Sequence, residues 1–147
     1  MSKSDFPLVS IIIPCKEIDD YTRECIEYCK KLNYNNYEII VLPDYSTENI
    51  EGVKVIQTGD ATPGRKRNIG IENAKGELCA FIDSDARPRE DWLKNAVKYF
   101  KDPEVVAVGG PGITFSEDSL MQKASGYAIR EISSVKNRNG DFEDTLV

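Results

Sequence analysis

Short β-branched runs alternating with stretches of helical periodicity restrict this chain more than any other feature. Residues 8–13 are almost wholly apolar, stop at Pro14, and read as a buried strand. Over residues 19–32, Tyr21, Cys25, Tyr28, Cys29 and Leu32 recur at helical spacing, so a helix facing a sheet is expected. A turn cluster fills 33–36, and a second strand covers 37–42 and ends at Pro43. Residues 44–51 read as a polar loop or short helix, and 53–56 as a short third strand. A loop with Gly59, Pro63 and Gly64 leads to a helix over 65–74, closed by Gly76. The fourth strand, 78–82, runs into Asp83-Ser84-Asp85. Pro88 suits the first turn of a further helix through Trp92, Ala96, Val97 and Phe100. A fifth strand is expected at 105–108, before Gly109-Gly110-Pro111-Gly112, then a helix over 119–135 and a polar tail with an Asn139-Gly140 turn. Such an order implies a mainly parallel α/β sheet with right-handed crossovers and helices on both faces.

Composition narrows the chemistry. With 147 residues, 40% apolar and 30% charged, the chain suits one globular domain. No run reaches membrane-spanning length and no signal peptide is visible, so a cytoplasmic location is expected. A net charge of −6 argues against nucleic acid as a partner but leaves room for a small phosphate site. There is no histidine, which removes Ser-His and Cys-His nucleophilic chemistry. Cys15, Cys25, Cys29 and Cys79 form no C-x-x-C pair and read as reduced, partly buried thiols. Trp92, Tyr99 and Phe100 read as packing residues.

In an open α/β sheet, ligands sit beyond the carboxyl ends of the strands. Pro14 to Glu17 replaces the G-x-G-x-x-G of a dinucleotide fold, and Gly64-Arg65-Lys66-Arg67 lacks the Lys-Ser or Lys-Thr of a P-loop. Asp83 and Asp85 share a side if the backbone is extended, and a divalent cation relieves their repulsion, Mg²⁺ or Mn²⁺ suiting the hard oxygens. The alternative is a solvated acidic turn that caps the next helix. Arg65, Lys66 and Arg67 open a predicted helix, where the macrodipole disfavours them, and a bound diphosphate would reconcile the two. They are equally readable as a solvated run. Asp44 after the second strand is either an acceptor for a base or ribose, or an Asx-turn residue; Glu17 has the corresponding position after the first. The glycine run at 109–112 either admits a sugar close to backbone or only turns the chain.

Together these elements resemble the family 2 glycosyltransferases of the GT-A, Rossmann-like fold. The resemblance rests on residues 9–14 with Glu17, residues 37–41 leading to Asp44, Gly64-Arg65-Lys66-Arg67-Asn68-Ile69-Gly70 with residues 74–77, and Phe81-Ile82-Asp83-Ser84-Asp85. It implies transfer of a sugar from a nucleotide-diphospho-sugar, most commonly a UDP-sugar, to a glycan, lipid or protein acceptor, with a divalent cation and with inversion. It makes Asp83-Ser84-Asp85 the D-x-D element, with Asp85 a metal ligand and Asp83 nearer the ribose or metal. It sets Asp44 on the base, lines the nucleotide pocket with Pro14 and Glu17, and brings Arg67 and Arg65 near the base or diphosphate. Pro43 and Tyr45 depart from the family, which usually has an acid and a glycine there, and Lys16 stands where many members have Asn.

By the same resemblance, residues 1–112 are a nucleotide-sugar-binding half and 113–147 the start of an acceptor-side region, a helix followed by a mobile tail. The fold would then be incomplete at its C-terminus. The family's general base lies beyond Val147, and Glu117, Asp118, Glu131 and Asp144 stand in no matching motif, so no catalytic residue is assigned. Membrane association would come only through that further part. A non-catalytic or truncated nucleotide-sugar-binding module remains as an alternative. A nucleotidyltransferase is a weaker one, because the glycine-rich loop after the first strand is missing.

Overall fold

The computed structural model describes residues 5–110 and the backbone of 134–136 and 142–144. The chain divides into two units, Met1–Lys94 and Asn95–Val147. The first holds strands β1 (Val9–Pro14), β2 (Tyr37–Leu42), β3 (Val53–Val55) and β4 (Leu78–Phe81), with helices α1 (Asp20–Lys30) and α2 (Pro63–Asn73) between them. All four strands are parallel, in the order β3-β2-β1-β4. This is the expected α/β architecture. The crossover from β1 through α1 moves one way across the sheet, and the crossover from β3 through α2 moves back the other way. Right-handedness of both puts the two helices on opposite faces.

Register fixes the core. Ile12 pairs with Ile40, and these two with Leu42 form a fully buried cluster on the α2 face, against which Ile56, Ile69 and Ala74 pack. The alternate residues Val9, Ile11, Ile13, Ile39 and Val41 are buried on the other face. On α1 the stripe Cys25, Ile26 and Cys29 is buried as well. The backbone of α2 comes so close to the sheet that a Cβ on Gly70 would lie 2.6 Å from Ile12 Cγ2. Caps define both helices. Asp19 Oδ1 accepts from Thr22 N at 2.9 Å, and Thr62 Oγ1 accepts from Arg65 N at 3.2 Å, with Pro63 opening α2.

A polar staple holds the amino end of the sheet. Ser10 Oγ donates to Glu38 Oε1 at 2.6 Å, Lys75 N donates to the same oxygen at 2.6 Å, and Gly76 N donates to Ser10 Oγ at 2.9 Å. Burial pushes the Glu38 pKa up, but the bonds from Ser10 and Lys75 outweigh it, and the net value is lowered. Gly76 therefore does not close α2, which ends at Asn73 with Ala74 already extended. It is glycine because a Cβ would meet Ser10 Oγ at 2.6 Å and Leu8 O at 2.8 Å.

Other expectations change. Residues 105–108 form no strand, and Val106 is 61% exposed, so that apolar run lies open instead of pairing. Pro88 precedes helix α3 (Trp92–Val97), which gives way to a 3-10 turn at Lys98–Lys101 instead of running on to Phe100. Residues 44–51 are irregular, so β2 and β3 are joined without a helix. In the second unit, β5 (Ser134–Lys136) pairs antiparallel with β6 (Phe142–Asp144). Ser134 and Val135, expected at the end of a helix, are thus extended. The rest of that helix, Pro111, Gly112, the Asn139-Gly140 turn and the division at 112–113 lie outside the described residues. Among the described residues, no helix is long and apolar enough to cross a membrane.

Candidate functional site: the carboxyl rim of the sheet

The direction of winding reverses between β1 and β4, because β1 is flanked by β2 and β3 on one side and by β4 on the other. Such a switch point opens a crevice at the carboxyl ends of the two strands. Pro14 and Glu17 lie at the end of β1, and Asp83-Ser84-Asp85 lies just past β4. The rim beside them is stiff, since the ladder continues past the strands. Cys15 N donates to Leu42 O at 3.2 Å, Asp44 N to Lys16 O at 3.0 Å, and Gly59 N to Asp44 O at 2.8 Å. Pro14 is half-buried and Glu17 exposed. Burial pushes the Cys15 thiol up to about 11, although Lys66 opposes the shift, so this cysteine is a protonated wall residue.

Asp83, Ser84 and Asp85 do not continue the strand. Ala86 N donates back to Asp83 O at 3.0 Å, which closes a turn, so the alternation of an extended strand does not govern where the two carboxylates point. Two anchors from α1 fix this turn and the segment after it. Cys25 Sγ donates to Asp83 O across 3.6 Å, and Arg87 Nε pairs with Glu24 Oε1 at 2.5 Å. Asp83 and Asp85 are both exposed, and Ser84 is half-buried. Among the described residues no third Asp, Glu, His or Cys joins them in a group. Two exposed carboxylates fit a hard divalent cation that fills its remaining positions with water and phosphate oxygens.

The three cations that open α2 have different environments. Arg65 is exposed. Arg67 Nη2 lies 3.3 Å from Asp83 Oδ1, which brings together two residues picked separately from the sequence. Lys66 points inward and is only 3% exposed. Its Nζ donates to Cys15 O at 2.6 Å, to Leu42 O at 3.2 Å and to Asp44 Oδ1. Asp44 is 7% exposed, a buried carboxylate in an ion pair and not a solvated Asx-turn. Lys66 departs from both readings of the cationic run, since it faces neither solvent nor a diphosphate at the helix start but the ends of the strands. Helical spacing held the signal, because Lys66, Ile69 and Gly70 stand at i, i+3 and i+4 on the sheet-facing stripe. Gly109 and Gly110 have open space around them, so the described geometry does not demand glycine there.

A doubly wound sheet whose switch point carries a carboxylate turn and a cationic helix start is an α/β fold of the nucleotide-binding kind, and comparison with known proteins gives its class, GT-A, and its family. The sequence profile of Glycosyl transferase family 2 matches residues 10–146, and the chain belongs to that family. Glycosyltransferase GlyG of Streptococcus pneumoniae is 28% identical over 155 residues, covering 92% of this chain and 52% of that protein. A Methanococcus voltae dolichyl N-acetyl-alpha-D-glucosaminyl phosphate 3-beta-D-2,3-diacetamido-2,3-dideoxy-beta-D-glucuronosyltransferase is 28% identical, covering 95% of this chain and 51% of its own. The chain thus spans about half the length of these relatives. Among solved structures, S. aureus TarS 1-349 in complex with UDP-GlcNAc superposes with TM-score 0.56 at 27% identity, over 74% of this chain and 38% of that one. Pyrobaculum calidifontis mannosyltransferase PcManGT, solved with GDP-Man and Mn²⁺, shares the fold with TM-score 0.60 at 24% identity, over 68% of this chain and 34% of its own.

Proposed function

We propose that the rim between β1 and β4 binds the nucleotide-diphospho-sugar donor, a UDP-sugar, for an inverting, cation-dependent glycosyl transfer. The observation that carries this reading is the Arg67–Asp83 pair at the switch point, which sets a guanidinium beside the carboxylate turn. Membership of family 2 and likeness to TarS, solved with UDP-GlcNAc, support it. Asp44 accepts an N–H from the base, and Pro14 and Glu17 line the pocket wall beside it. Asp83 and Asp85 hold the cation, with Ser84 between them in the turn. Arg67 and Arg65 bind the diphosphate oxygens. The cation that Asp83 and Asp85 would hold, Mn²⁺ or Mg²⁺, would supply positive charge to the departing nucleoside diphosphate. Arg67 adds a fixed positive charge on the same group, which lowers the barrier for its departure. The acceptor hydroxyl attacks the anomeric carbon from the opposite side, the anomeric C–O bond to the diphosphate breaks, and the hydroxyl proton passes to a general base, a role to which no described residue is assigned.

Calorimetric titration tests this directly. UDP should bind the chain in Mn²⁺ and bind far more weakly in EDTA. Asp85→Ala should remove the Mn²⁺ dependence. An Asp85→Ala protein that binds UDP with Mn²⁺ as tightly as the parent overturns the assignment.

A further inference from the structure

We propose that Lys66 is a positioning residue that dictates which nucleobase the rim accepts, by fixing which oxygen of Asp44 is offered to it; the inference rests on the donor-site reading above. All three N–H groups of the Lys66 ammonium are engaged, by Cys15 O at 2.6 Å, Leu42 O at 3.2 Å and Asp44 Oδ1. The ammonium is therefore locked to the ends of β1 and β2, and it locks Asp44 Oδ1 with it. A free carboxylate presents two acceptor oxygens. Guanine, with an N1–H and an adjacent amino group, uses both. Uracil has a single N3–H on that edge and uses one. Cytosine sets an unprotonated N3, itself an acceptor, against a carboxylate oxygen there, and only its adjacent 4-amino group can donate. With Oδ1 turned to Lys66, Oδ2 is the oxygen left for a base, which suits the single N3–H of uracil better than the two adjacent donors of guanine, and opposes the N3 lone pair of cytosine.

The test exploits an asymmetry that the ammonium imposes on an amide. In Asp44→Asn, Lys66 can only donate, so it must take the amide oxygen and turn the NH2 group toward the base. The outward group then donates, which suits cytosine N3 and opposes uracil N3–H. An Asn free of Lys66 would instead rotate to offer its oxygen to uracil. Calorimetry with Mn²⁺ and UDP, CDP or GDP is run on the parent, Asp44→Asn and the double variant Lys66→Met/Asp44→Asn. The parent is expected to prefer UDP over both others. Asp44→Asn should lose roughly tenfold or more for UDP while CDP binding is kept or gained, because a polar group that meets the wrong partner is left unsatisfied. The double variant should recover the preference for UDP. A merely structural role for Lys66 would weaken all three nucleotides together and leave their ratios unchanged. An Asp44→Asn protein that still prefers UDP over CDP overturns the role of Lys66 alone. A parent that binds none of the three with Mn²⁺ overturns the donor-site reading, and this inference with it.

Discussion

The two ends of the same sheet carry buried polar groups, and they use them differently. At the amino end, Ser10, Glu38, Lys75 and Gly76 bond to one another with one carboxylate as the hub. The acceptor there is consumed by backbone and hydroxyl donors, and nothing converges on an open space. At the carboxyl end, Lys66 ties Asp44 to the strands, while Arg67, Asp83 and Asp85 stay at the surface. One end closes its network and the other leaves part of it exposed. An exposed pair such as Arg67–Asp83 contributes little to stability, which agrees with the binding role proposed for it.

Mutations at the two ends should therefore divide, and the largest effect sharpens the contrast. Lys66→Met leaves a buried carboxylate unpaired, and thermal or urea unfolding should report a loss of about 3–5 kcal/mol. Gly76→Ala drives a Cβ against Leu8 O and Ser10, and should cost about 1–3 kcal/mol while the nucleotide affinity of the folded protein stays at the parent value. Loss of affinity in Gly76→Ala would break the separation of the two ends.

Ser10→Ala should cost about 1–2 kcal/mol at neutral pH, since it removes a donor to Glu38 and an acceptor for Gly76 N. Its pH dependence is specific. Glu38 has a folded-state pKa below its ordinary 4.5, so its contribution is complete above that value and lost as pH falls through the folded one. The parent should lose stability on acidification below about pH 4.5, and Ser10→Ala should lose less over the same range. Equal slopes in the two proteins would remove Glu38 from the staple. The smallest stability effect belongs to Arg67→Ala. Its pair with Asp83 is exposed, so unfolding should shift by no more than about 0.5 kcal/mol, while affinity for UDP with Mn²⁺ falls.

Burial decides how much of this was legible in the sequence. The strands β1 and β2 could be read because their residues are buried on both faces and a proline ends or succeeds each run. The run 105–108 has the same residue types and lies irregular, with Val106 exposed, since four apolar residues do not specify a pairing partner. Asp83 and Asp85 were singled out by their position after β4, and of the two backbone readings, extended strand or acidic turn, the structure has the turn. Arg67 and Asp83 were picked on separate grounds and stand in contact. The orientation of Lys66 was lost because a run of three cations masks the helical period, and that period becomes evident only when Gly70 is seen against Ile12.

A crystal structure of the protein grown with UDP and Mn²⁺ tests most directly whether the carboxyl rim between β1 and β4 is the nucleotide site. The diphosphate and the ion should lie on Asp83 and Asp85, with Arg67 on a phosphate oxygen and the uracil against Asp44. UDP bound at any other part of the molecule, or an ion touching neither Asp83 nor Asp85, would contradict that assignment.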